Sequence, residues 1–138
     1  MIEFFSENDF QFMHTSEVSD WIKEVILEHG FVLGEITYVF CDDEYLLKLN
    51  KDFLDHDTLT DIISFDYSMG KELHGEIYIS TERVAENASE FNTEFSNELH
   101  RVIIHGILHY CGYKDKTEEE AITMRMMEDK ALAARIFS

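Results

Sequence analysis

TEFSNELHRVIIHGILHYCGYKD, residues 93–115, is the stretch on which the fold turns. It reads as helix up to Gly112. On a helix, His105 and His109 lie about one turn apart on one face, close enough for both imidazoles to reach a single ion. With seven histidines in 138 residues, a pair at this spacing carries little weight alone. The continuation adds to it. Gly112 can end the helix in the left-handed conformation, which turns the chain so that Asp115, three residues on, comes back toward the histidine face.

The order His105, His109, Gly112, Asp115 matches the metzincin zinc-helix pattern position for position, with two substitutions. Gly106 stands where zinc peptidases carry their general-base glutamate, and Asp115 stands for the third histidine. Two neutral imidazoles and one carboxylate leave Zn²⁺ with residual positive charge and a position open to water, the catalytic rather than the structural arrangement. The spacing therefore predicts one zinc per chain, held by His105, His109 and Asp115.

Upstream, the helical segment begins at Thr81 and is expected to break near Asn92-Thr93, where two weak helix formers meet. DIISFDY (61–67) and GEIYIS (75–80) read as short strands joined across SMGKELH by a hairpin-like connection. DDEYLLKLNKDFL (42–54) opens on capping aspartates and reads as a helix; GEITYVFCDD (34–43) alternates and is β-branched, a strand. IEFF near the start suggests another strand. Thr15 or Ser16 can cap a helix whose Val18, Trp21, Ile22, Val25 and Ile26 recur at helical spacing and which His29-Gly30 closes. Downstream, Thr117 and Glu120 form a capping box at the head of a last helix. Strands interleaved with helices predict an α/β or α+β sandwich with a small mixed sheet packed by helices, the metzincin-like zinc helix among them. No proline, Gly/Ser tract or repeat marks a linker, so residues 1–138 are read as one domain.

Composition bounds the function. Apolar residues make up 45% of the chain, and no apolar run approaches the ~20 residues that span a bilayer, so neither disorder nor membrane insertion is indicated. MIEFFSENDF lacks the basic region and cleavage site of a signal peptide, and a cytoplasmic location is expected. A net charge of −18, from 29 acidic against 11 basic residues, argues against indiscriminate nucleic-acid binding; no DNA partner is expected, and any nucleic-acid contact needs a local basic pocket. Cys41 and Cys111 form no disulfide framework and are read as buried small hydrophobes. His14, His29 and His74 lack partners at ligand spacing and are read as surface or cap residues.

HGILHYCGYKD (105–115) resembles the signature of the YbeY family, the metal-dependent endoribonucleases of ribosomal RNA maturation, whose usual form is HGxLHLxGYDH. LNKDFLDHDTLTDIISF (49–65) resembles the family's LN…Y-R…(P)TDVLSF segment, and GEIYIS resembles its GDIxIS strand. The resemblance implies an α/β fold around a small, mostly parallel sheet and a single zinc held by three side chains. It also implies hydrolysis of single-stranded RNA in 16S rRNA 3′-end maturation, with the ribosome or its small subunit as partner. Three departures stand out. Asp115 replaces the third histidine, Leu54 the arginine after the aromatic, and Leu59 the proline before the Thr-Asp pair. Losing that arginine removes a phosphate-binding fork that a point charge does not easily replace.

The expected chemistry is phosphodiester hydrolysis by a zinc-activated water, with no side chain assigned as base. The glutamate missing at position 106 is tolerable for that reaction. It is less so for a metallopeptidase, which must protonate a poor leaving group and remains the weaker alternative. The other alternative is a ribosome-assembly factor whose zinc secures the fold and which has little nuclease activity; the acidity and Leu54 both suit it. Thr60 and Ser64 are candidate donors to phosphate or ribose and Phe65 a candidate base platform, against a reading in which Ile62, Ile63 and Phe65 are core strand and Thr60 and Asp61 tie down a loop. Arg101, one turn before His105, either meets a phosphate or makes an ion pair. Lys114, Lys51 or His56 can stand in for the lost arginine. Tyr110 and Tyr113 are read as packing beside the site.

Overall fold

The alternation of apolar and polar residues in the central strands sets up the molecule. In a computed structural model describing residues 1–54 and 59–137, β1 (Ile2–Ser6), β2 (Val32–Cys41), β3 (Ile62–Asp66) and β4 (Glu72–Ser80) form one sheet in the order β1-β2-β4-β3. β1 with β2 and β2 with β4 run parallel, and β3 with β4 antiparallel, so the sheet is mixed and mostly parallel. Register places Ile36 beside Gly75, Tyr38 beside Ile77 and Phe40 beside Ile79, all on one face. That face is sealed from water, at roughly 1.5–3 kcal/mol for each large apolar side chain buried. β2 and β4 both begin earlier than the alternating patterns suggest, because Val32 and Leu33 pair with Glu72 and Leu73 ahead of a bulge.

Among the described residues the helices are α1 (Thr15–Glu28), α2 (Asp43–Leu54), α3 (Thr81–Glu90), α4 (Phe95–Tyr110) and α5 (Glu118–Ala133). α1 and α4 cover the apolar face. α2 lies over the other, where Cys41, Leu46 and Ile63 make a smaller cluster with Phe65 and Tyr78. The expected break falls between α3 and α4, with Asn92 at φ 57°. The capping box of α5 is present, and Asp42 accepts from the Tyr45 amide at the head of α2. The cap expected for α1 is not found. α1 is entered through His14 at φ 62°, with no side-chain cap; Thr15 is already helical. Phe10 and Phe12, packed against Phe4 and Phe40, fix how the chain approaches α1, and that packing overrides the local capping preference.

α4 carries His105 and His109, so its seating decides where they point. Two phenols pin it. Tyr38 of β2 donates to the Ile103 carbonyl at 3.0 Å, and Tyr110 donates to the Phe65 carbonyl at 2.9 Å and lies 3.3 Å from that of Glu76. Tyr110 reaches this position only because residue 75 is glycine: a Cβ there would lie 2.2 Å from the phenol oxygen and 2.5 Å from the Phe65 carbonyl. The helix is thereby registered on β3 and β4 at its C-terminal end, one residue beyond His109.

Candidate metal centre

At the end of α4, Cys111 is the last cap residue and Gly112 follows at φ 102°. The Gly112 amide bonds to the His109 carbonyl at 3.0 Å and the Tyr113 amide to that of Leu108 at 3.0 Å, a Schellman turn that needs a residue tolerant of positive φ. The turn sends the chain back along the helix. Asp115 Oδ2 then lies 3.2 Å from His105 Nε2 and 3.2 Å from His109 Nε2, while the two Nε2 atoms are 3.0 Å apart.

The protons decide what this triangle is. His109 Nδ1 lies 2.9 Å from the Tyr113 carbonyl, which only accepts, so the proton sits on Nδ1 and Nε2 bears the lone pair. His105 Nδ1 lies 2.6 Å from Glu128 Oε2, and the same logic leaves its Nε2 unprotonated when the ring is neutral. With both rings neutral, two nitrogen lone pairs and a carboxylate oxygen thus face one another with no hydrogen between them, an arrangement that repels itself unless a proton or a metal cation fills it. A tetrahedral ion with bonds of about 2.0–2.1 Å spaces its ligands by about 3.3 Å, close to what is found. The group could hold a metal ion, and its chemistry fits one.

The surroundings are acidic. Burial pulls the His105 imidazole down, but the bond and charge of Glu128, with Asp115 and Asp61, outweigh it and leave its pKa above the usual value. Burial raises the Asp61 carboxyl, as it does that of Glu98. These groups line a cleft of about 340 Å³ beside the triangle, with Asn87, Phe91, Arg101 and Arg125 also on its walls.

Of the substrate-binding candidates, Arg101 reaches this cleft, but its side chain is 13% exposed and its guanidinium is held by Glu128 at 2.9 Å and Asp129 at 2.7 Å. The Thr60 hydroxyl turns back on the Ile62 carbonyl at 3.4 Å, and Ser64 lies in β3 opposite Ile77. Lys114 is exposed and borders a separate groove with Glu119, Glu120 and Thr123; Lys51 borders another along α2. Leu54 ends α2, exposed, and His56 falls outside the described residues. Phe65 packs edge-on against Phe53 and Tyr78. His14 and His29 flank α1, and His74 bonds Glu72 at 2.6 Å. Both cysteines are free; Cys41 is buried as expected, whereas Cys111, at the end of α4, is only half-buried, and burial pushes the Cys41 thiol up to about 12 and that of Cys111 up to about 11.

Gly106 explains the missing acid. It is buried on the sheet side of α4, where an added Cβ would meet Ile77 Cδ1 at 3.0 Å and Ile62 Cδ1 at 3.2 Å. A glutamate there would enter the core. Sequence reasoning missed Glu128, Arg125 and the cleft roles of Asn87 and Phe91, because helices far along the chain supply them; no spacing within the histidine motif signals them.

The sequence profile of one protein family, described as "Endoribonuclease YbeY", matches residues 3–135. A protein of that name from Flavobacterium psychrophilum is 54% identical over 132 residues, covering 96% of this chain and 94% of the relative. One from Christiangramia forsetii is 56% identical over 132 residues, covering 96% and 92%. Among solved structures, the solution structure of TM1509 from Thermotoga maritima superposes with a TM-score of 0.68 at 27% identity, covering 96% of this chain and 87% of that one.

Proposed function

The chain belongs to the YbeY endoribonuclease family, and we propose that it is a zinc-dependent, single-domain endoribonuclease that hydrolyses single-stranded RNA in 16S rRNA 3′-end maturation and ribosome biogenesis, with the ribosome or its small subunit as partner. The observation that carries the reading is the triangle of His105 Nε2, His109 Nε2 and Asp115 Oδ2, three atoms within 3.0–3.2 Å that are all acceptors when both rings are neutral. Its partial exposure on one side leaves room for a ligand that the protein does not supply.

When bound, a divalent ion supplies Lewis acidity toward water and phosphoryl oxygens. His105 and His109 would hold it through Nε2 and Asp115 through Oδ2. The Nδ1 protons are donated to the Glu128 carboxylate and the Tyr113 carbonyl, and with Nε2 on the metal neither imidazole is free to act as base. Arg125 stands on the cleft wall with its side chain 56% exposed and only a 3.9 Å contact to Glu128, which makes it the cation best placed to meet a phosphate where Leu54 cannot. Phe91, 60% exposed on the same wall, offers a ring on which an unpaired base can stack, and stacking on one ring favours a single strand over a duplex. Gly106, facing Ile62 and Ile77, leaves no position for the glutamate of a peptidase.

The test is cleavage of single-stranded and duplex rRNA fragments by purified protein, with His105→Ala and Asp115→Ala alongside. Metal-dependent cutting of the single strand, lost in both variants, supports the reading. Equal residual cutting in all three proteins overturns it and favours the assembly-factor alternative.

A further inference from the structure

The two histidines are held by different means. His109 is oriented by a neutral backbone carbonyl three residues beyond its own helix, inside the Gly112 turn. His105 is oriented by a carboxylate from α5, 23 residues further along the chain. Glu128 is 5% exposed, and a carboxylate that deep persists only where its oxygens are matched. They are divided cleanly. Oε2 takes His105 Nδ1 at 2.6 Å, and Oε1 takes an Arg101 nitrogen at 2.9 Å, while the other arm of that guanidinium goes to Asp129 at 2.7 Å. Arg101 sits one turn before His105 on α4, and Asp129 is the next residue on α5. The fork therefore clamps the carboxylate that clamps the imidazole.

We propose that Glu128 is a positioning residue for the metal centre: held by Arg101, it locks His105 in the Nδ1–H form, aims Nε2 into the triangle, and ties metal affinity to the docking of α5 on α4. The inference rests on the metal-site half of the reading above and is independent of the substrate. A charged acceptor at Nδ1 makes the opposite nitrogen a stronger donor than a neutral one does, so His105 carries more of the binding than His109's local carbonyl allows that residue to carry. Linkage runs both ways, so an ion in the triangle also holds α5 in place.

The first readout needs no variant. Ring-nitrogen NMR of the full-length, metal-free protein, recorded above the pKa of His105, should show its Nδ1 protonated and its Nε2 bare; an Nε2–H ring overturns the proposal. The second is cobalt(II) affinity by competition with a chromophoric chelator, in wild type, Glu128→Met, Glu128→Ala and Glu128→Gln, with the exposed α5 variant Met126→Ala as control and circular dichroism confirming the fold. Losing the acceptor, as in the Met and Ala variants, should weaken cobalt binding by about 10–100-fold and free the His105 tautomer. Glu128→Gln keeps an acceptor for Nδ1 and should retain the tautomer, with an affinity between wild type and Glu128→Met because that acceptor is neutral; Met126→Ala should match wild type. Wild-type affinity in folded Glu128→Met overturns the proposal and leaves the nuclease reading standing. A protein that binds cobalt tightly but cuts no RNA does the reverse.

Discussion

His100 and His105 stand on the same helix, five residues apart, and have opposite chemistry. The Arg135 guanidinium reaches His100 Nδ1 at 2.7 Å, and since an arginine only donates, that nitrogen must carry the lone pair. Trp21 and Phe137 pack edge-on against the ring, and burial, with the Arg135 charge behind it, pushes the imidazole down to about 4. At His105 the same nitrogen meets a carboxylate, carries the proton, and the ring's pKa rises. One imidazole is a neutral piece of core. The other presents a lone pair to a cleft. What separates them is the sign of the charge that the C-terminal part of the chain brings to Nδ1: Arg135 in one case and Glu128 in the other.

The largest test of that contrast is metal and activity together. His105→Ala or His109→Ala should leave the purified protein without its metal by elemental analysis and lower single-turnover RNA cleavage by about 10³-fold or more. His100→Gln, whose amide oxygen can still accept from Arg135, should keep metal stoichiometry and rate near wild type; equal metal loss there would erase the distinction. Next comes the side of α4 that faces the sheet. Gly106→Glu should cost about 3–5 kcal/mol by denaturant titration, because it drives an unpaired carboxylate between Ile62 and Ile77, whereas Gly106→Ala, whose helix-propensity gain of about 1 kcal/mol offsets the crowding of its Cβ, should be nearly neutral.

The difference between the pH profiles of stability of wild type and His100→Gln isolates His100, because the raised His105, Asp61 and Glu98 act with the opposite sign in both proteins. The folded pKa of His100 is about 4 and its ordinary value 6.5, so as pH falls the unfolded chain takes up the proton first. Stability is then full above the ordinary value and falls between there and about 4, by roughly 3 kcal/mol if the whole shift is expressed. Thermal unfolding across that range should show the loss in wild type and a shallower slope in His100→Gln; identical slopes would break the comparison on its core side. The smallest effect belongs to the turn. Gly112→Ala forces a side chain into positive φ at about 1 kcal/mol and displaces Asp115, so metal affinity should drop several-fold while the helix remains intact by circular dichroism.

Much of the site was legible because its signals are local. His105 and His109 share a face through helical periodicity alone, and Gly112 announces the turn that returns Asp115, all within eleven residues. The same holds for the α5 capping box and the break at Asn92, where short-range hydrogen bonding and backbone preference settle the outcome. The N-terminus of α1 was misread for the converse reason: Phe10 and Phe12 make contacts with distant strands that outweigh a cap. Arg101 was legible as a residue on the histidine face, but whether it faced solvent, a phosphate or an acid depended on α5.

The sequence by itself determined the periodicities, and with them the interleaved strands and helices, the His-His-Asp group and the glycine that closes it, because each arises from interactions among residues a few positions apart. Only the tertiary structure decided that Gly75 admits Tyr110 to seat α4, that position 106 faces the core, and that Glu128 and Arg135 reach Nδ1 of two different histidines. Those are contacts between elements separated by tens of residues. Their geometry follows from how a sheet and several helices share one core, which no local pattern encodes.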